Sequence, residues 1–524
     1  MQTKHSDLVT SVNGKILRRQ SGSSNVYWYT YMSSPVGQLS ASTLGDDNSA
    51  SNNASNTAFN LDMLKEGNGS DIQFTSAHNQ VGRLSTRWTY SFLNGITYYD
   101  WIPLTPSTTI APGVGYIHKG LGNAGAEQEY LFEGRPNNGT IKIAADDVDG
   151  DSSNESEPDV TQTTTMIGNP YPSAIDAYKF IDDNSGVIDG TLYFWHQWAG
   201  TSHVLEEYQG GYAILNKMAK IRAYQFEGIS GGNNGSQDGT LTPKQYIPVG
   251  QSFITEVIAD GDIEFNNDQR IYKREDLGES QFFKAADSSE SKSYKSSMAI
   301  ITLEFKTTSS HSREMAIGFG KHTSATTYDS GYDAKMFDVK SEDLFTMYQD
   351  QEMITQAYEE IEMETVVPLS IRTSGEFKYY IRAKDIQNVK ETTLVFLKDK
   401  YENTYYDLRQ KKAYGFSSES GEFHDRFEIV FNDEKPAKKG VETDYMYNLV
   451  YYNNNLKKLF IKDLEQKADL IMIMNMIGQT VLEFKDISAM SLDNGISISN
   501  LATGAYLVHF KSGSTTKSKK IMVK

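Results

Sequence analysis

Ala505-Tyr506-Leu507-Val508-His509-Phe510 sets Tyr506, Val508 and Phe510 on one face of an extended chain and Leu507 and His509 on the other, because side chains alternate along a strand. An apolar row of this kind has to be covered by a second layer. Further strands are expected at 458–462, 470–474, 480–484, 495–498 and 519–523, so residues 441–524 read as a small immunoglobulin-like sandwich.

The same signal extends upstream. Ala299-Ile300-Ile301-Thr302-Leu303-Glu304-Phe305, Lys378-Tyr379-Tyr380-Ile381-Arg382, Thr393-Leu394-Val395-Phe396-Leu397 and Arg426-Phe427-Glu428-Ile429-Val430-Phe431 space four strands over residues 298–431. That spacing suits an antiparallel β-sandwich, interrupted by a short helix around 341–348. Residues 1–280 alternate short aromatic runs, such as Val26-Tyr27-Trp28-Tyr29-Thr30-Tyr31, Arg87-Trp88-Thr89-Tyr90-Ser91-Phe92 and Thr191-Leu192-Tyr193-Phe194-Trp195, with Gly, Asn, Ser and Pro clusters. They read as a β-rich region of one or two units.

Within that region Ser173 precedes Asp176 at capping-box spacing, and Ala177, Phe180 and Ile181 recur at helical intervals, which predicts one helix over 173–182. Pro and Gly turns that feed an aromatic strand recur at Pro112-Gly113 and Pro248-Val249-Gly250, with a partial copy at Pro35-Val36-Gly37. They are a repeated unit or ordinary turn chemistry. Residues 46–60 and 146–159 are too polar to offset their ordering entropy and are expected to be loops; 281–297 and 432–440 are expected to be linkers. The fold class is mostly β, with antiparallel β-sandwich domains in tandem.

The absence of cysteine in 524 residues excludes disulfides, thiolate-bound metals and thiol nucleophiles. Fifty basic against 68 acidic residues give a net charge of −18, which disfavours nucleic acid as a partner. No apolar run is long enough for a transmembrane segment. The last 84 residues carry +2 and the rest −20, so the C-terminal unit differs electrostatically from the body.

Three ordered blocks of this unit, Met474-Asn475-Met476-Ile477-Gly478-Gln479-Thr480-Val481, Leu501-Ala502-Thr503-Gly504-Ala505-Tyr506-Leu507-Val508 and Lys519-Lys520-Ile521-Met522-Val523-Lys524, resemble the type A C-terminal sorting domain of type IX secretion cargo in Bacteroidota. The expected signal residues are Gly478, Gln479, Gly504, Tyr506, Lys519 and Lys520. The two glycines would supply turn conformations and the lysines a basic strand edge. The usual opening Asn-Pro pair is replaced by Tyr451-Tyr452-Asn453. The resemblance implies the type IX secretion machinery and its sortase as partners, removal of the tail, attachment to surface lipopolysaccharide, and an extracellular or outer-membrane surface location. Such cargo carries an N-terminal export signal, and none follows Met1, so the chain is expected to be part of a longer precursor. Ile167-Gly168-Asn169-Pro170-Tyr171-Pro172 and Gly190-Thr191-Leu192-Tyr193-Phe194-Trp195 are similar to segments of large exported adhesin-like surface proteins.

The sequence holds no His-Glu-x-x-His, no Gly-x-Ser-x-Gly and no phosphate loop, so zinc-protease, serine-esterase and nucleotidase chemistry have no motif. Asp147, Asp149 and Asp151 alternate as calcium ligands would, but Ser152 stands where a helix-loop-helix site needs Gly; no other cofactor is expected. Tyr98, Tyr99, Trp101, Trp195 and Trp198 are the candidate binding aromatics, because exposed rings stack on sugars or anchor protein partners. The expected function is a non-catalytic, adhesin-like surface protein with a glycan or protein ligand. The alternatives are an extracellular carbohydrate-active enzyme with the same tail, or a structural stalk.

Overall fold

A computed structural model describes residues 8, 14–39, 55–147, 163–225, 239–283, 298–308, 312–336, 338, 340–410, 412–432, 450–453, 457–461, 466–475, 479–493, 495–498, 501–513 and 515–523. Strands dominate, as their aromatic and β-branched content requires. The chain divides into two compact units, Met1–Val395 with Asp407–His424, and Phe396–Tyr406 with Asp425–Lys524.

In the first unit a five-stranded sheet is ordered Thr163–Gly168, Ser252–Val257, Leu192–Ala199, Gln209–Leu215, Lys220–Ile221. Ser252–Val257 is buried along its whole length, the pattern of a strand covered on both faces. A second sheet joins Tyr29–Met32, Tyr116–Lys119, Tyr90–Ser91 and Ile102–Pro103. Phenylalanines 180, 194, 253, 265 and 283 pack in the core, with Phe180 stacked on Phe265, Phe194 stacked on Phe283, and Phe253 edge-on to Phe180 and tilted to Phe194.

The expected helix runs Ala177–Asp183 and starts later than its sequence signal. Asp176, not Ser173, is its cap: the Asp176 carboxylate accepts from the Tyr178 amide at 3.1 Å. Residues 174–176 form a short strand instead. Of the three Pro/Gly turns, Gly113 and Gly250 share a left-handed backbone, φ +84° and +73°. Gly37 has no such φ; its constraint is space, since a Cβ there would meet the Thr57 carbonyl oxygen at 2.1 Å.

Ala299–Thr307 lies between Ser312–Phe319 and Lys378–Gln387, both antiparallel. Ser312–Phe319 then pairs with Gln351–Tyr358 in parallel, a departure from the all-antiparallel expectation. The helix expected around 341–348 is absent: Asp343–Tyr348 is a strand, antiparallel to both Gln351–Tyr358 and Val366–Thr373. Its first residue is tied to buried Arg313, and pairing on both sides outweighs weak local helix preference.

In the second unit Phe396–Asp399 pairs with residues 427–430, and the Arg426 guanidinium is buried against the Asp399 carboxylate. The C-terminal residues form two sheets, Val450–Asn453, Lys458–Ile461, Ile496–Ser497 and Thr480–Ile487, Ala468–Asn475, Gly504–Ser512, Thr515–Val523. Tyr506, Val508 and Phe510 face the core with Ile471, Ile473 and Leu459, as their alternation predicted.

Candidate functional site

Lys119 ends the strand Tyr116–Lys119 opposite Tyr29 and is only 2% exposed. Three rings surround its ammonium: those of Trp88, Tyr29 and Tyr208 lie 4.2, 4.6 and 4.8 Å from Nζ. Nζ lies 2.7 Å from the Tyr208 hydroxyl and 3.0 Å from His203 Nδ1. Among the described residues no carboxylate is paired with it. Burial pushes the amine down to about 7, while the three π faces attract its charged form.

Local structure fixes the rings. Residues 86–88 form a 3-10 turn capped by the Ser85 hydroxyl, which accepts from the Arg87 amide at 3.4 Å, so Trp88 sits in a turn and not in the strand that its sequence suggested. Its indole N–H donates to the His78 carbonyl at 2.7 Å. The Trp28 indole donates to the Gly200 carbonyl at 2.8 Å and the Gln197 side chain accepts from the Tyr29 amide at 3.1 Å, which together tie the loop carrying His203 to the Tyr29 strand.

His203 lies parallel to Trp88, centroids 4.5 Å apart at 13°, and Tyr27 packs on His203 at 4.7 Å. Because Nζ of Lys119 is within 3.0 Å of His203, the two share one face of the indole. Exposed His78 stands 5.9 Å from Trp88, and Val81 and Val204 are exposed close by in sequence. Burial, followed by the charges of Lys119 and His78, holds His203 down at about 4. The result is a partly exposed shelf of rings on a caged cation, stiffened by hydrogen bonds from below.

The aromatics singled out from sequence are divided. Trp101 and Trp195 meet on Tyr31, at 6.4 and 6.2 Å, and the Tyr31 and Tyr212 hydroxyls are 3.0 Å apart. Trp195, however, is 6% exposed; it is a core residue and not the exposed platform expected, because its strand is covered on both faces. Trp198 is half-buried with its ring edge-on to His196. Tyr99 is 89% exposed on the turn Tyr98–Asp100; the Tyr98 side chain lies outside the described residues. Tyr27, His78, Trp88, Lys119 and His203 were missed. The run Trp28-Tyr29 and the indole at 88 were visible signals, but nothing local ties them to positions 119 and 203.

Asp149 and Asp151 lie outside the described residues, and the Asp147 amide donates to the Asp260 carboxylate at 2.8 Å. Among the described residues no three His, Asp or Glu side chains converge as a metal site would need.

In the tail, Gly478 lies outside the described residues. Gln479 helps close the hairpin: its carbonyl accepts from the Asn475 amide at 2.9 Å, and its own amide donates to the Asn475 side chain at 3.0 Å. Gly504 supplies no left-handed turn. It begins a strand opposite Val523, and a Cβ there would meet only Tyr506 at 3.8 Å. The Tyr506 hydroxyl donates to the Ala502 carbonyl at 2.9 Å. Lys519 and Lys520 lie on the last strand of the four-stranded sheet, with Lys520 exposed.

Two family models match the chain. One, described as a domain of unknown function (DUF8693), covers residues 3–431, and one described as a secretion system C-terminal sorting domain covers residues 450–524. None of the curated proteins compared with the chain matches it.

Proposed function

This chain belongs to the DUF8693 family, and we propose that it is a non-catalytic, adhesin-like protein that binds carbohydrate through the Tyr27, His78, Trp88 and His203 shelf. Its sorting domain marks it as type IX secretion cargo, delivered to the cell surface or the extracellular space and handled by that secretion machinery. One observation carries the binding reading: the Trp88–His203 stack is fixed beside the buried Lys119 amine yet remains partly open, with exposed His78 5.9 Å from the indole. Preorganised rings of this kind lose little entropy when a sugar packs on them. The acidic body of the chain favours a neutral or basic glycan over a polyanion.

The test is a glycan array probed with the full chain. Selective binding that falls with Trp88→Ala supports the reading. Binding to no glycan, or release of sugar from a polysaccharide panel, rejects it in favour of a stalk or an enzyme respectively.

A further inference from the structure

A second cluster lies where residues 298–395 meet the first 283 within the first unit. Asp189 is fully buried; its carboxylate accepts from the Thr191 amide at 2.9 Å and from the Tyr328 hydroxyl at 3.2 Å. Its backbone amide donates to the Glu256 carbonyl at 3.1 Å, and Ile188 bridges Val257, so Asp189 and Glu256 stand on adjacent extended segments. Lys335 reaches into the same place from the other side of the seam, its Nζ 3.1 Å from Glu256 Oε2. Tyr193, Asp333 and Asp338 complete the surroundings, and the Tyr328 ring lies 5.9 Å from the amine.

This pair differs from the other lysine–carboxylate contacts among the described residues. Its side chains are 19% and 10% exposed, whereas Lys398–Glu428 and Lys384–Glu314 leave the lysine at 30% and 43%. It also has a third, fully buried carboxyl group that feels both partners. Burial, then the charge of Glu256, raises that group to about 7 against the opposing pull of Lys335, so Asp189 exchanges a proton near neutrality.

We propose that Lys335 and Glu256 form an intramolecular amide cross-link, with Asp189 as the proton-transfer group. Proton transfer within the ion pair leaves a neutral amine and a carboxylic acid. Lys335 Nζ attacks Glu256 Cδ, forming the C–N bond; Asp189 takes up the amine proton and returns a proton to the departing hydroxyl. The C–O bond breaks, one water leaves, and Asp189 regains its starting state. No oxidant or cofactor is consumed. Enclosure supplies the proximity that a condensation in water lacks and limits the reverse hydrolysis. The bond would close a loop of 79 residues in sequence separation and so restrain the unfolded chain, as other cross-links do. For a surface protein it would resist pulling across the seam. This inference does not depend on the carbohydrate reading.

The test is intact-mass and tryptic-peptide analysis of the purified full chain under denaturing conditions. The expected result is a mass lower than the sequence mass by one water, with the Lys335 and Glu256 peptides joined and no tryptic cleavage at Lys335. Lys335→Arg, which keeps the ion pair without an amine nucleophile, should restore the full mass, and Asp189→Asn should leave most of the chain unlinked. A wild-type chain at full mass with separate peptides overturns the proposal. So does a water loss mapped to any other site. A fully linked Asp189→Asn chain overturns the role of Asp189.

Discussion

Lys119 Nζ and His203 Nδ1 lie 3.0 Å apart with no carboxylate paired to the amine among the described residues, so protonation of either opposes protonation of the other. The shelf is therefore sensitive to acid. His203 is held near 4 by burial and by the Lys119 charge, and buried His118 and His196 are also lowered to about 4 by burial. Each has a folded value below the ordinary 6.5, so the unfolded chain binds more protons across that interval. Their contribution to stability is present above 6.5 and lost as pH falls towards 4. We expect the melting temperature to drop over that window, with a shallower acid limb in His203→Gln. An identical acid limb in the variant would count against the coupling.

Asp189 and Asp333 have the opposite sign. Burial raises both to about 7 from an ordinary 3.8, so their contribution is complete below 3.8 and is lost as pH rises through 7. Asp333→Asn removes the titration but keeps an oxygen for only one of the two amides, Asp329 and Ala357, that the separate carboxylate oxygens accept from; it should lower the melting temperature overall and flatten its decline between pH 6 and 8 (about the window of these groups). An unchanged slope would place the titration elsewhere.

Arg313 makes a two-pronged contact with Asp343, at 2.6 and 2.9 Å, and both residues are almost fully buried. Asp343→Ala would strand a guanidinium with only Asp338 left to pair with it. The expected loss is about 3 to 5 kcal/mol in urea unfolding. A change below about 1 kcal/mol would mean that water reaches the site.

Phe510 is fully buried in the tail between Ile471 and the opposing sheet. Phe510→Ala should cost about 3 to 5 kcal/mol and reduce surface delivery of the complete precursor in a type IX-competent host. Normal delivery of the variant would separate the sorting signal from the folded sandwich.

The tail was legible because its information is local. Tyr506, Val508 and Phe510 announce a buried row by alternation alone, and the structure buries all three. The shelf was not. Tyr29, Trp88, Lys119 and His203 are brought together only by strand pairing and by the hydrogen bonds that dock the 197–208 loop, contacts of long sequence separation that no window reveals. Aromatic richness did point to a ring cluster, but local pattern could not separate buried Trp195 from half-buried Trp88. Asp343–Tyr348 misled for a related reason, since beside its local hairpin with Gln351–Tyr358 it pairs with residues 370–372, a partner that no window around it contains.

The most direct test compares two aromatic substitutions by calorimetric titration of a glycan that the full chain captures. Trp88→Ala should weaken binding by more than about 1 kcal/mol while preserving the melting transition, and Tyr99→Ala, on its exposed turn, should bind as the wild type does. Wild-type affinity in a folded Trp88→Ala chain would contradict the account, and a loss confined to Tyr99→Ala would move the binding face to the Tyr98–Asp100 turn.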